Sequence, residues 1–221
     1  MPEICAVLFP FQRICAKMES VEVHGFEEGI VVRCFYHGSS VPGITTLEAR
    51  SQLHNTGEKV VYLTDNIPYA LFYIWDAEHN GYSGKHVTGW IEDGVAYYEE
   101  QFPEQLKTFY QGVSGYLYRI ADRADIQAME NRANLFYAGE DVSVAECVWI
   151  EDVYEALLKY EAEGKFVVRR YNEQSTERQG ELIDLIAQGI VMNNFFAEDA
   201  AHQAFIKKHF AKAWEKANLQ R

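Results

Sequence analysis

FYHGSSVPGITTLEARSQLHNTGEKVVYLTDNIPYALFY, residues 35–73, decides the fold. Two apolar runs with strand character bracket it. Ile30 to Tyr36 reads IVVRCFY and meets His37-Gly38-Ser39-Ser40, where a strand is expected to end. Lys59-Val60-Val61-Tyr62-Leu63 is the second run and stops at Thr64-Asp65-Asn66. Beyond it Ala70, Leu71, Tyr73 and Ile74 recur at a helical period. Asp65 or Asn66 is placed to cap that helix, and Pro68 fits its first turn, where a missing N–H costs nothing. The spacing predicts a helix to about His79, stopped by Asn80-Gly81. Pro42-Gly43 marks a turn between the strands.

Downstream, strands and helices are mixed. His86–Ile91 and Val95–Tyr98 flank Asp93-Gly94, a strong hairpin signal. A helix opened by Pro103 presents Phe102, Leu106, Phe109 and Tyr110 on one face and ends at Gly112. Residues 116–120 and 134–137 read as strands, and 121–132 as a loop or short helix. Residues 142–150 read as one strand, but Val142, Val144, Glu146 and Val148 share a face, so its polar and apolar sides are mixed. The spacing of Val153, Ala156, Leu157 and Tyr160 predicts a helix stopped at Gly164, and Phe166-Val167-Val168 a last strand. Thereafter the pattern is helical only. Ser175 caps one helix with a stripe of Leu182, Leu185, Ile186 and Ile190, and a second carries Ala201, Phe205, Phe210 and Trp214. The expected organisation is an N-terminal extension over 1–29 (a helix or an added strand), an α+β domain over 30–170, and a helical C-terminal segment over 171–221.

Composition limits the function classes. The chain has 221 residues, 48% apolar and 14% aromatic, ample for a packed core. No apolar run reaches the roughly 18 residues of a membrane span. The first residues carry no basic leader and no small-residue cleavage site, which argues against a signal peptide. Four cysteines without C-x-x-C or zinc spacing are expected to be reduced thiols in a cytoplasmic protein, with Cys34 and Cys147 buried. A net charge of −13 opposes non-specific binding to a phosphate backbone. His79 and His86 lack metal-ligand spacing, so no metal site is expected. Glu99-Glu100 precedes a helix and is expected to favour its N-terminus. There is no P-loop, no G-x-G-x-x-G and no G-x-S-x-G.

His37-Gly38-Ser39 closing one strand, and Tyr62 on a second strand that feeds a helix with Ala70 and Tyr73, resemble the opening elements of the ADP-ribosyltransferase fold. The subclass is the His-Tyr-Glu one of the poly-ADP-ribose polymerases and diphtheria-type toxins. The resemblance implies a fold of split, mainly antiparallel sheets with flanking helices around an NAD cleft. It also implies NAD as substrate, cleaved at the nicotinamide–ribose bond, with ADP-ribose passing to a protein, a nucleic acid or water. In such a site His37 would hydrogen-bond a ribose hydroxyl and the Gly38 backbone would meet the nicotinamide amide. Ser39 would add a hydroxyl, Tyr62 would stack on the ring, and Tyr73 would join the wall. Arg50 falls where some relatives hold the NAD phosphates.

The chain departs from that family at two points. Where many relatives place a serine after the tyrosine strand, this chain has Pro68-Tyr69. The third-motif acid is not marked: Glu140, in a turn beside Asp141, and Glu130, just ahead of the 133–137 strand, both compete for it. Two other functions are therefore kept in view. One is the same fold acting as a binding module without catalysis; the other is an enzyme resembling the RNA 2′-phosphotransferases, which would gather basic residues in the cleft.

Overall fold

A computed structural model describes residues 33–53, 56–76, 79, 88–130 and 132–220, together with the backbone of 15–17. Within the N-terminal extension, Cys15–Lys17 is a strand, β1. Cys34–Ser39 forms β2, and two-residue strands β3 (Thr46–Leu47) and β4 (Ser51–Gln52) lead to β5 (Lys59–Thr64). His37 and Gly38 therefore lie inside β2 rather than just past its end. The edge pairing with a later strand carries the extended backbone through Ser39.

Helix α1 (Ile67–Leu71) starts at Asn66, whose side chain accepts from Tyr69 N at 2.9 Å, with Pro68 in the first turn. It stops well short of His79. Residues 69–72, 74 and 75 are all buried, which a helix with one apolar stripe cannot achieve, so the chain leaves the helix to bury consecutive side chains. The stop expected at Asn80-Gly81 lies outside the described residues.

β6 (Gly89–Glu92) and β7 (Val95–Glu99) form the hairpin, turned by Asp93 and Gly94 at φ of 50° and 78°. Two successive positive φ values suit an Asp-Gly pair and match strand twist. α2 (Gln105–Tyr110) follows, its Leu106 N–H received by the buried Glu100 carboxylate at 3.2 Å. The other Glu100 oxygen accepts from Tyr171 N at 3.1 Å, so this acid ties two segments together besides serving the helix start.

β8 (Gly115–Ala121), the short β9 (Gln127–Ala128) and β10 (Leu135–Ala138) come next. The run 142–150 is two strands, β11 (Val142–Ser143) and β12 (Glu146–Ile150), which belong to different sheets. That break is the reason its faces did not separate in sequence. α3 (Val153–Ala162), capped by Asp152, and β13 (Phe166–Arg169) complete the α+β part. The tail is helical: α4 (Thr176–Met192) capped by Ser175, α5 (Ala200–His209) capped by Asp199, and α6 (Ala211–Asn218) after a break at Phe210.

The main sheet has eight strands in the order β1-β12-β8-β2-β5-β10-β9, with β4 also on β5. Its ladders are antiparallel except β1 on β12. β13-β7-β6 make a second sheet, in which β13 and β7 are parallel, and β11-β3 a third. Leu117 and Ile150 on one face of the main sheet share a core with Leu71 of α1, Leu106 of α2 and Leu157 of α3. Phe35, Val61, Leu63, Ile120 and Phe136 fill the opposite face. The tail shares the first core: Phe205 stacks on Phe109 at 5.8 Å, and Phe210 meets Phe102 edge-on at 5.1 Å. Cys147 is buried, whereas Cys34 is only half-buried.

Candidate functional site

β2 pairs with β8 over six residues but with β5 at a single position, Tyr36↔Thr64. Past that pair the two strands diverge, and the β5-facing edge of Gly38 and Ser39 carries no ladder. The His37 ring takes up the gap: its Nδ1 lies 3.1 Å from the Tyr62 carbonyl oxygen. A carbonyl only accepts, so Nδ1 carries the proton in that contact, and a neutral ring then holds its acceptor lone pair on Nε2.

A cavity of ≈ 250 Å³ opens at this divergence. His37, Gly38 and Tyr62 line it together with Thr64 and Leu63 from β5. Tyr69 and Ala70 of α1 and the following Tyr73 form one wall; Met129, Arg132 and Leu135, around the head of β10, form the other. The wall is aromatic and rigidly held. Tyr69 and Tyr73 have ring centroids 5.7 Å apart, and the Tyr73 hydroxyl donates to that of Tyr69 at 3.3 Å. The Tyr62 hydroxyl donates to the Gln52 carbonyl on β4 at 2.9 Å, which fixes the ring at the rim. Burial, then the neighbouring Tyr69, pushes the Tyr73 phenol above its ordinary range, while the Arg132 charge pulls the other way. Tyr73 is therefore a neutral hydrogen-bonding ring near neutral pH.

Gly38 is needed here for packing. A Cβ at this position would fall inside the Ala70 carbonyl oxygen and crowd Ile74, so the missing side chain is what lets α1 rest on β2. The space a side chain would take is filled by α1, while Gly38 itself still lines the cavity.

Other candidate residues lie elsewhere. The half-buried Ser39 hydroxyl accepts from Val41 N at 3.2 Å and is not part of the lining. Arg50 is exposed and paired with Glu48 at 2.8 Å. Glu140 is exposed beyond the far end of β10, whereas the cavity lies at that strand's head. Glu130 is exposed next to Met129 and does not line the cavity. No carboxylate occurs among the described lining residues, and Leu135 holds the head of β10.

Tyr36 is the residue that pattern reading passed over. It lines this cavity and two adjoining ones, whose linings include the acids Asp65, Glu146 and Glu163, the last paired with Lys165 at 2.8 Å. The other two are engaged as well: Asp65 by Arg33 at 2.8 Å and Asn134 at 2.7 Å, Glu146 by Arg119 at 2.7 Å. The position of Tyr36 just before His37 on β2 was the available signal. Thr64, Met129 and Arg132 had none, because their roles come from pairing across the sheet.

Among the described residues no group of three His, Cys, Asp or Glu could hold a metal ion, and no helix is long and apolar enough to cross a membrane. Comparisons with protein-family models, curated proteins and solved structures found no match.

Proposed function

We propose that the cavity between β2 and β5 binds the nicotinamide–ribose end of NAD, and that the protein is an ADP-ribosyltransferase-like enzyme. The observation that carries this reading is the meeting of His37 and Tyr62 in one open cavity where their strands separate. Tyr62 and Tyr73 offer faces for the pyridine ring, such contacts being worth about 0.5–1.5 kcal/mol beyond area burial. The His37 ring, set among the lining residues, is placed to meet a ribose hydroxyl. In the reaction the C1′–nitrogen bond breaks and its electron pair leaves with nicotinamide. The acceptor's lone pair then bonds C1′, and the acceptor gives up a proton. Positioning supplies much of such catalysis. The acceptor is a protein, a nucleic acid or water, and the net charge of −13 disfavours bulk nucleic acid.

The missing acid favours a second reading, a binding module that holds NAD without turning it over. An electrostatic partner for an oxocarbenium-like ribose is absent from the described lining. Purified protein incubated with NAD separates the two by nicotinamide release, read by chromatography, alongside the NAD-induced thermal shift. Turnover that falls at least about tenfold in His37→Ala and in Tyr62→Ala supports the enzyme. A thermal shift without turnover supports the binding module, and neither signal removes NAD from consideration.

A further inference from the structure

Arg132 stands at the mouth of the cavity with its side chain exposed, on a loop closed by backbone hydrogen bonds from Leu135 N to Arg132 O and from Met129 N to Leu135 O. Its place is thus set by the β9–β10 connection. Among the described residues, ion pairs engage Arg33, Arg50, Arg119, Arg123, Arg170 and Arg178; Arg169 instead lies over the Trp90 and Tyr97 rings, and no ion pair engages Arg132. An uncompensated cation at a cleft is notable in a chain of net charge −13, whose overall field repels anions. It also makes little sense for the ring inside, because a pyridinium is itself cationic and gains nothing from a neighbouring guanidinium.

We propose that Arg132 is a specificity-determining residue that binds the phosphate on the 5′ carbon of the nicotinamide ribose, so that the site selects phosphorylated pyridine nucleotides over the bare nucleoside. This rests on the NAD reading above. Size agrees: ≈ 250 Å³ is below the roughly 300–1,000 Å³ of sites that enclose a whole drug-sized ligand. The cavity holds a pyridine and its ribose, and the phosphate emerges at the mouth, within reach of a planar guanidinium suited to phosphate oxygens. Arg132 and Tyr73 line the same cavity.

The test titrates the whole chain calorimetrically with nicotinamide riboside, nicotinamide mononucleotide and NAD, as wild type and as Arg132→Gln, at low and high salt. Wild type is expected to bind both phosphorylated ligands at least about tenfold tighter than the riboside, the scale of one charge-assisted hydrogen bond. Salt should erode that preference. Arg132→Gln should abolish it and leave the riboside affinity within about twofold. Equal preference in the variant, or an equal loss for all three ligands, overturns the role of Arg132 while leaving the NAD reading in place. No binding of any ligand to wild type removes the NAD reading and this inference with it. An unchanged melting temperature in Arg132→Gln, expected for an exposed loop residue, confirms that the comparison concerns binding.

Discussion

Gly38 has two neighbours that exclude any side chain, the Ala70 carbonyl and Ile74. Gly38→Ala must push α1 off β2, an overpacking change worth about 1–3 kcal/mol. In a chain of this length a melting temperature lower by about 3–10 °C is expected, and scanning calorimetry checks it. A variant as stable as wild type would show that α1 is not seated as described. His37 and Tyr62 were legible as candidates because a His-Gly step and a tyrosine in an apolar run stand out locally. Arg132 and Tyr36 were not, since nothing in NRAN or CFYH separates a pocket residue from a surface or core one.

At the scale of elements, Asn66 joins α1 to the β6–β7 hairpin. Its side-chain oxygen accepts from Tyr69 N at 2.9 Å, and its amide donates to the Gly94 carbonyl at 2.9 Å. Asn66→Ala is expected to cost about 1–3 kcal/mol, seen as a lower urea midpoint. Asn66→Asp should not restore stability, although Asp caps helices as well as Asn does. It sets a carboxylate oxygen against the Gly94 carbonyl in a buried place. Full rescue by Asp would mean that only the cap matters. The cap and the Asp93-Gly94 turn were readable because both are short-range chemistry. The length of α1 was not readable, and neither was the split of 142–150. In the first case the core draws in consecutive residues; in the second, Val144 N turns to the Thr45 carbonyl and Ala145 N to that of Arg119, carrying the chain between sheets.

The whole molecule is held to its helical tail by a cluster of rings. His209, in the last turn of α5, lies 4.4 Å from Phe102 and 4.5 Å from Phe205 between ring centroids. Burial, and then the Lys208 charge, lowers its pKa below the ordinary value. The folded protein therefore binds the His209 proton less readily than the unfolded chain does. Stability from the neutral ring is complete above about pH 6.5 and is lost as the pH falls through and below that value. Melting temperature should drop between about pH 7 and pH 5 more steeply in wild type than in His209→Gln. Parallel profiles would exclude His209 as the cause.

Residues near one another in sequence determined most elements of this protein. Apolar period, Asp-Gly and Pro-Gly turns, and Ser175 or Asn66 as caps act over a few residues, so the longer strands of the α+β part and the helical character of the tail were visible from the chain alone. The two-residue strands at 46–47, 51–52 and 127–128 and the break at Phe210 were not. The gap between β2 and β5 was decided only by the tertiary structure. A strand's own residues do not state which neighbour it keeps or where it lets go. β8 holds β2 along its length, and β5 touches it once, at Tyr36. That unequal pairing puts a ring from position 37 against a carbonyl 25 residues away and brings Arg132 to the same opening.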